Sequence, residues 1–241
     1  MSEFEQASDP RAWRQVCREA AHAQSLQEAR AAWGVSGDAP VPFNYRWEHV
    51  TQVVSLAKRL ARATQADLEI VEAAAWLHDV RKEESSHAKA GAQAAREILA
   101  ATDFPPEKIE AVAYAIRQHA GLTRRNGAPP LEPIEAAVLW DADKLTKIGV
   151  QALMVRWSSA DTRYLTMAER WRDSAKFAHN TLPRTVASMN TGPAKVMADR
   201  RLRNMLAVLS LWMREARENG MDLRGDEKFE VSFDYPGVPQ E

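Results

Sequence analysis

The chain has 241 residues, 45% of them hydrophobic and 27% charged, the balance of an ordinary globule large enough to bury a substantial core. A formal charge of -1 argues against a protein that coats nucleic acid, which needs a basic excess, and no apolar run is long enough to span a bilayer. The single cysteine, Cys17, excludes an internal disulfide and a cysteine-rich metal site; with the acidic start Met1-Ser2-Glu3-Phe4-Glu5, unlike a secretion leader, it points to a reduced, cytoplasmic setting.

Apolar residues recur at steps of three and four nearly throughout, no segment alternates convincingly with period two, and the chain reads as all-α. Residues 10–33 form one or two helices, with Trp13, Val16 and Ala20 on one face. Gly34 to Pro42 is a loop. A helix from Tyr45 to about Ala63 carries Val50, Val53, Ala57 and Leu60, and Asp67 caps the next, which ends near His78. Ser85 or Ser86 caps a helix to about Ala101, and Pro105-Pro106 opens one to about His119. A loop, Gly121 to Pro130, separates it from a helix that starts at Pro133 and runs through Leu145. Further helices cover about 150–158, 161–178 and 192–219. The polar tail from Gly220 is irregular, with a short extended piece possible where Phe229, Val231 and Phe233 alternate. Three parts follow: an N-terminal helical extension (1–42), a main helical domain (43–219) and the tail (220–241). Trp157, Trp171 and Trp212 suit an internal core better than a homo-oligomer interface, though the oligomeric state stays open.

Several helices carry one polar group on the buried face, near one end. His49 aligns with Val53, Leu56 and Leu60; His78 continues Leu68, Val71 and Ala75; His87 aligns with Gly91, Ala94 and Ile98. His119 continues Ile109, Val112 and Ile116, and Asp141 follows Ile134, Ala137 and Val138. A lone inward histidine is more often a hydrogen-bonded core residue than a ligand, and Asp141 could pair with an arginine. Joint occurrence with the adjacent pair His78-Asp79 shifts the balance, because a buried carboxylate needs a cation and bundles build metal sites this way. His22 and His179 do not fit the set.

His49, then His78-Asp79, then the block Ile134-Glu135-Ala136-Ala137-Val138-Leu139-Trp140-Asp141-Ala142-Asp143-Lys144-Leu145 resemble the HD-domain metal-dependent phosphohydrolase superfamily over about Tyr45 to Gly149. The last block is similar to the segment of small bacterial HD hydrolases that act on nucleotides; Thr191 to Arg201 is more weakly similar to their C-terminal helix start. The resemblance implies a helical HD-domain bundle in which one ion is held by His49, His78, Asp79 and Asp141. It implies a second ion on His87 and His119, bridged by Asp79; with one ion, those histidines would bind substrate phosphate instead. Lys82 matches the lysine of the His-Asp-x-x-Lys pattern, with a role beside Asp79 at the reacting phosphoryl group, against a solvated lysine after a helix end.

The donor set lacks thiolate and suits manganese, iron, cobalt, nickel or zinc better than magnesium. Arg81, Lys82, Arg124, Arg125, Lys144 and Lys147 are the nearby cations that could hold a phosphorylated substrate, with Arg124-Arg125 as a phosphate grip or simply a solvated loop. The expected activity is hydrolysis of a small nucleotide, first a nucleoside triphosphate to monophosphate and pyrophosphate, then a 5′-nucleotidase or dinucleoside polyphosphate hydrolase reaction. The alternative of another class is a non-catalytic helical binding module that keeps metal for structure.

Overall fold

Thr166 and Glu169 show how local chemistry sets the helix boundaries: each side chain satisfies the other residue's backbone N–H in a capping box, and a helix begins there. Asp67 caps as expected, accepting from the amides of Glu69 and Ile70 at 2.9 and 3.2 Å, and Asn44 accepts from Trp47 N at 3.0 Å. Ser86 stands at an N-cap position, but its hydroxyl makes no capping bond. The computed structural model describes residues 12–225, and among the described residues there is no strand.

The helices are α1 (Trp13–Trp33), α2 (Tyr45–Thr64), α3 (Leu68–Leu77), α4 (His87–Ala100), α5 (Ile109–Gln118), α6 (Ile134–Leu145), α7 (Val150–Ser158), α8 (Met167–Lys176), α9 (Leu182–Ala187) and α10 (Gly192–Glu218). A π-helical turn, Phe177–Thr181, joins α8 to α9. The all-α reading holds. The single helix expected over 161–178 does not: a 3-10 turn at Ala160–Thr162 comes first, and the capping box starts α8 only at Met167. Helix α9, with Pro183 in its first turn, was not anticipated. The extended piece expected around Phe229, Val231 and Phe233 lies outside the described residues.

Helices α2, α3, α5 and α6 pack against one another, α4 lies along α5, and α1 crosses α2 and α3. Ala73, Ala74 and Ala75 are fully buried, and their small side chains let α3 sit at the centre. Gly91 of α4 has the same use: a Cβ there would stand 3.2 Å from the His78 carbonyl oxygen and 3.4 Å from Ile116 Cγ2. At the α6–α7 junction Gly149 adopts φ +109°, and a Cβ would meet the Arg201 side chain at 3.3 Å. Arg201 uses that proximity to donate to Leu145 O at 2.8 Å, closing the end of α6. Trp171 is fully buried, donating to Leu209 O at 2.9 Å, and Trp157 meets Trp212 edge to face at 4.8 Å; these rings belong to the core.

Helix α1 contributes Trp13, Cys17 and Ala21 to the same core. Burial, with Glu72 adding to it, pushes the Cys17 thiol up to about 12. Cys17 should therefore be inert to a thiol-specific disulfide reagent at pH 8 in the native protein. One thiol per chain should react once guanidinium unfolds it, and fast native-state labelling would contradict the placement of α1.

Candidate active site

Helix α3 stops at Leu77, and the chain then folds through successive tight turns, with Val80 N, Lys82 N and Glu84 N donating to Leu77 O, Asp79 O and Arg81 O. This places His78, Asp79 and Lys82 at the common end of the central helices. His78 Nδ1 donates to Ala75 O at 2.8 Å, which leaves Nε2 as a bare lone pair. His119, at the end of α5, likewise donates from Nδ1 to Ile116 O at 2.5 Å. Its buried Nε2 has no hydrogen-bond partner and lies 3.5 Å from Asp79 Oδ1. On α2, His49 Nδ1 lies 3.0 Å from Thr146 Oγ1. Because the Thr146 hydroxyl donates to Asp143 O at 2.6 Å, its oxygen accepts from His49, and Nε2 again faces inward unprotonated.

The inward nitrogens of His49 and His78 stand 3.3 Å apart, each 3.6 Å from Asp79 Oδ2. Two bare imidazole nitrogens at that separation repel unless a cation lies between them. Asp143 Oδ1 is 3.4 Å from His49 Nε2 and completes this side. On the other side, Asp79 groups with His119 and the part-buried His87, ligand atoms within 4.8 Å of one another. The residues thus fit two adjacent cation positions that share Asp79.

Electrostatics agree with ligand-ready protonation states. Burial, then the charge of Lys147, lowers His49 to about 3, and burial also lowers His78 and His87. Burial opposes ionisation of Asp79, yet its carboxyl lies well below the usual range, because positive charge shared with the surrounding imidazoles, His78 first, favours the carboxylate. For Asp143 burial is likewise overcome, chiefly by Lys144. Lys82 Nζ lies 3.2 Å from Asp79 Oδ1 and 3.4 Å from His87 Nε2. Arg46, one turn before His49, brings Nη1 to 3.5 Å from Asp79 Oδ2 while pairing with Glu28 at 2.6 Å. A cavity of 240 Å³ opens over Asp79, His87, His119 and Asp143, rimmed by Lys82, Lys144 and Lys147.

Residues 46–148 match the family model of the HD domain. This region is an HD domain. Several solved structures share the fold. One is described as a predicted HD superfamily hydrolase from an uncultured Thermotogales bacterium: TM-score 0.50, 22% identity, covering 80% of this chain and 91% of that one. Another is Bacillus subtilis YpgQ in complex with ADP: TM-score 0.54, 24% identity, covering 80% and 97%. A third is an HD-superfamily hydrolase from Bacillus thuringiensis: TM-score 0.55, 20% identity, covering 83% and 98%. None of the curated proteins compared matches the chain. The HD-domain match and the shared fold support a metal-dependent phosphohydrolase. Among the described residues no helix is long and apolar enough to cross a membrane.

The structure brings His49, His78, Asp79, His87, His119 and Lys82 of the HD domain together. It does not bring Asp141. Both Asp141 oxygens are taken up at the start of α10: Oδ1 accepts from Asn190 N and Nδ2, and Oδ2 from Thr191 N and Oγ1, at 2.8 to 2.9 Å. The carboxylate that faces the histidines is Asp143, two residues on. Arg81 also departs from expectation: it is exposed, pairs with Glu84 at 3.8 Å and does not line the cavity. Arg124 and Arg125 leave the site after Leu122 and line a separate 610 Å³ cleft with Arg184 and Lys195, where Arg124 Nη1 donates to Asn190 Oδ1 at 2.6 Å. Lys144 reaches the cavity rim, but its amine is held by His119 O at 2.8 Å and by the Asp143 carboxylate.

These two aspartates make opposite predictions. Asp143→Ala should keep the fold and lose metal affinity by roughly 10- to 100-fold or more. Asp141→Ala leaves four donors unpaired and should lower stability by on the order of 3 kcal/mol while metal stoichiometry in the folded fraction is retained. Calorimetric titration with manganese and thermal unfolding of both variants check this; the reverse pattern would restore Asp141 as the ligand.

Proposed function

We propose that the HD domain holds divalent transition metal through His49, His78, Asp79 and Asp143, with a second position on His87, His119 and the shared Asp79. The reaction we infer is cleavage of a nucleoside triphosphate to monophosphate and pyrophosphate. The observation that carries the metal reading is the convergence of unprotonated imidazole nitrogens on one ionised, buried carboxylate. When bound, such an ion polarises a phosphoryl group and supplies a nucleophile from water near neutral pH. A donor set of imidazole and carboxylate suits manganese, iron, cobalt, nickel or zinc.

The chain's own residues supply the rest. Asp79 anchors both positions. Lys82, already beside Asp79 and His87, is the cation placed to neutralise charge that builds on the phosphoryl oxygens or the leaving group. Lys147 stands at the rim of the same cavity, part-buried, with its ammonium 3.5 Å from His49 Nδ1; burial first lowers its pKa, and the charges of Asp143 and Asp79 oppose that. The nucleotide part of the reading is supported by the small size of the cavity, its lysine rim and the ADP bound to the similar YpgQ.

Phosphorus NMR of metal-stripped protein, resupplied with manganese and a panel of nucleotides, tests the reaction. Pyrophosphate plus monophosphate is expected. Orthophosphate from monophosphates would move the activity to a nucleotidase, and symmetric cleavage of dinucleoside polyphosphates to that class. Asp79→Ala should abolish turnover of whichever substrate is found, and full activity in that variant at saturating metal would falsify the site. Lys82→Met should lower kcat by roughly 10- to 1000-fold. Because its ammonium occupies the approach to the second position, the same variant should also raise the occupancy of a second ion, read by elemental analysis.

A further inference from the structure

Behind His49 and Lys147 lies a second cavity, of 180 Å³, that none of the catalytic groups accounts for. Both residues line it as well as the 240 Å³ cavity over the metal ligands, so the two spaces adjoin across them. Neither alone reaches the roughly 300–1,000 Å³ of a small-ligand site, so a ligand of that size would span both. The linings differ in kind. Over the ligands the rim is lysine; the second cavity has an apolar and aromatic wall of Tyr45, Val155, Phe177 and Met205, with Gln52, Arg156 and Asp161 among its polar groups.

Three features make this a recognition surface rather than a packing gap. Tyr45, His49 and Gln52 fall at steps of four and three along α2, so one helix face presents a wall, a candidate metal ligand and an amide in sequence. The Gln52 Nε2 atom is buried and has no hydrogen-bond partner among the protein's own groups, which leaves this amide a donor to offer a ligand acceptor. Phe177 opens the π-helical turn between α8 and α9, a widened geometry that recurs at functional sites, and its ring faces this cavity with the Arg156 guanidinium 5.9 Å from its centroid.

We propose that this cavity is the base-recognition pocket of the enzyme: it receives the planar nitrogen heterocycle of the substrate between Tyr45 and Phe177, with Gln52 Nε2 donating to a ring or carbonyl acceptor. The proposal rests on the nucleotide reading of the adjoining site and adds the residues that choose the nucleotide. Val155, Arg156, Phe177 and Met205 all lie beyond residue 148, where the HD-domain match ends. Gln52 lies within that match, so the pocket joins one HD-domain amide to walls drawn from the part of the chain that the HD domain does not specify.

Calorimetric titration of the manganese-loaded protein with nucleoside monophosphates and, separately, with inorganic pyrophosphate tests the pocket in wild type, Gln52→Leu and Phe177→Ala. Gln52→Leu removes the amide at similar volume, and circular dichroism and metal content establish that each variant is folded and loaded. Expected is at least a tenfold loss of affinity for the monophosphates with pyrophosphate affinity held within twofold. Equal losses for both ligands, or no loss for either, overturn the pocket. Wild-type protein that binds pyrophosphate but no nucleotide overturns the nucleotide reading itself. Turnover of nucleotides with unaltered affinity in both variants removes only the pocket.

Discussion

Asp79 is an ionised carboxylate buried among imidazoles, and the arrangement of the central helices follows from what that requires. Charge is expensive to bury without a partner of opposite sign. Here the neighbours at 3.5 to 3.6 Å are His49, His78 and His119, each with its Nδ1 proton committed elsewhere. Neutral imidazoles cannot neutralise a carboxylate; they can only share a cation with it. The local fold serves that convergence. Helix α3 must end at Leu77 so that His78 and Asp79 turn inward together, and the helices beside it must approach closely enough for His119 and His49 to meet them. Gly91, against the His78 carbonyl, is one place where a methyl group would push that meeting apart. Lys82 and Arg46 supply positive charge from the rim, so the carboxylate is compensated from several directions at once.

Much of this was legible in the sequence because periodicity carries direction. On α2 and α5 the apolar stripe is one-sided, and a histidine continuing it had to point inward; on α3, buried nearly all round, the adjacent His78-Asp79 pair carried the reading. Helix α6 offers no such guide. Every residue from Ala136 to Leu145 is buried, so both Asp141 and Asp143 lie on an apolar face. A helix buried all round has no stripe to read. The two carboxylates, two positions apart, face nearly opposite sides, and what separates them is a partner some fifty residues away: the Asn190-Thr191 amides at the start of α10. Asp141 was rightly read as buried and needing partners; its partners are backbone and side-chain donors rather than a metal ion.

The cations show the same limit from the other direction. Arg81 follows Asp79 by two residues, but in a tight turn two residues reverse the side-chain direction, and it points to solvent while Lys82 points in. Arg124 and Arg125 are close to His119 along the chain, yet the loop leaves the cavity at Leu122, and Arg124 is tied to the same Asn190 that satisfies Asp141. One buried carboxylate thus organises a loop, a helix start and an arginine without touching the reacting centre. No spacing rule reveals such a chain of contacts. Gln52 was equally silent: a glutamine on a helix reads as solvated until the fold buries its amide.

The adjacency of the two cavities also bears on which bond breaks. His49 and Lys147 line both, so on the proposed reading the pocket for the heterocycle lies beside the candidate metal ligands. With a base seated between Tyr45 and Phe177 as proposed, the phosphate nearest the nucleoside would be the one closest to the candidate ligands, and the outer phosphates would lie towards the lysine rim. Attack at the inner phosphorus releases pyrophosphate from a triphosphate in one step; attack at the terminal phosphorus would need the base one or two phosphates further away, outside this pocket. A rim of lysines would suit that arrangement. The outer phosphates leave as one polyanion, and flexible point charges hold and release such a group without the fixed bidentate geometry that arginine would impose.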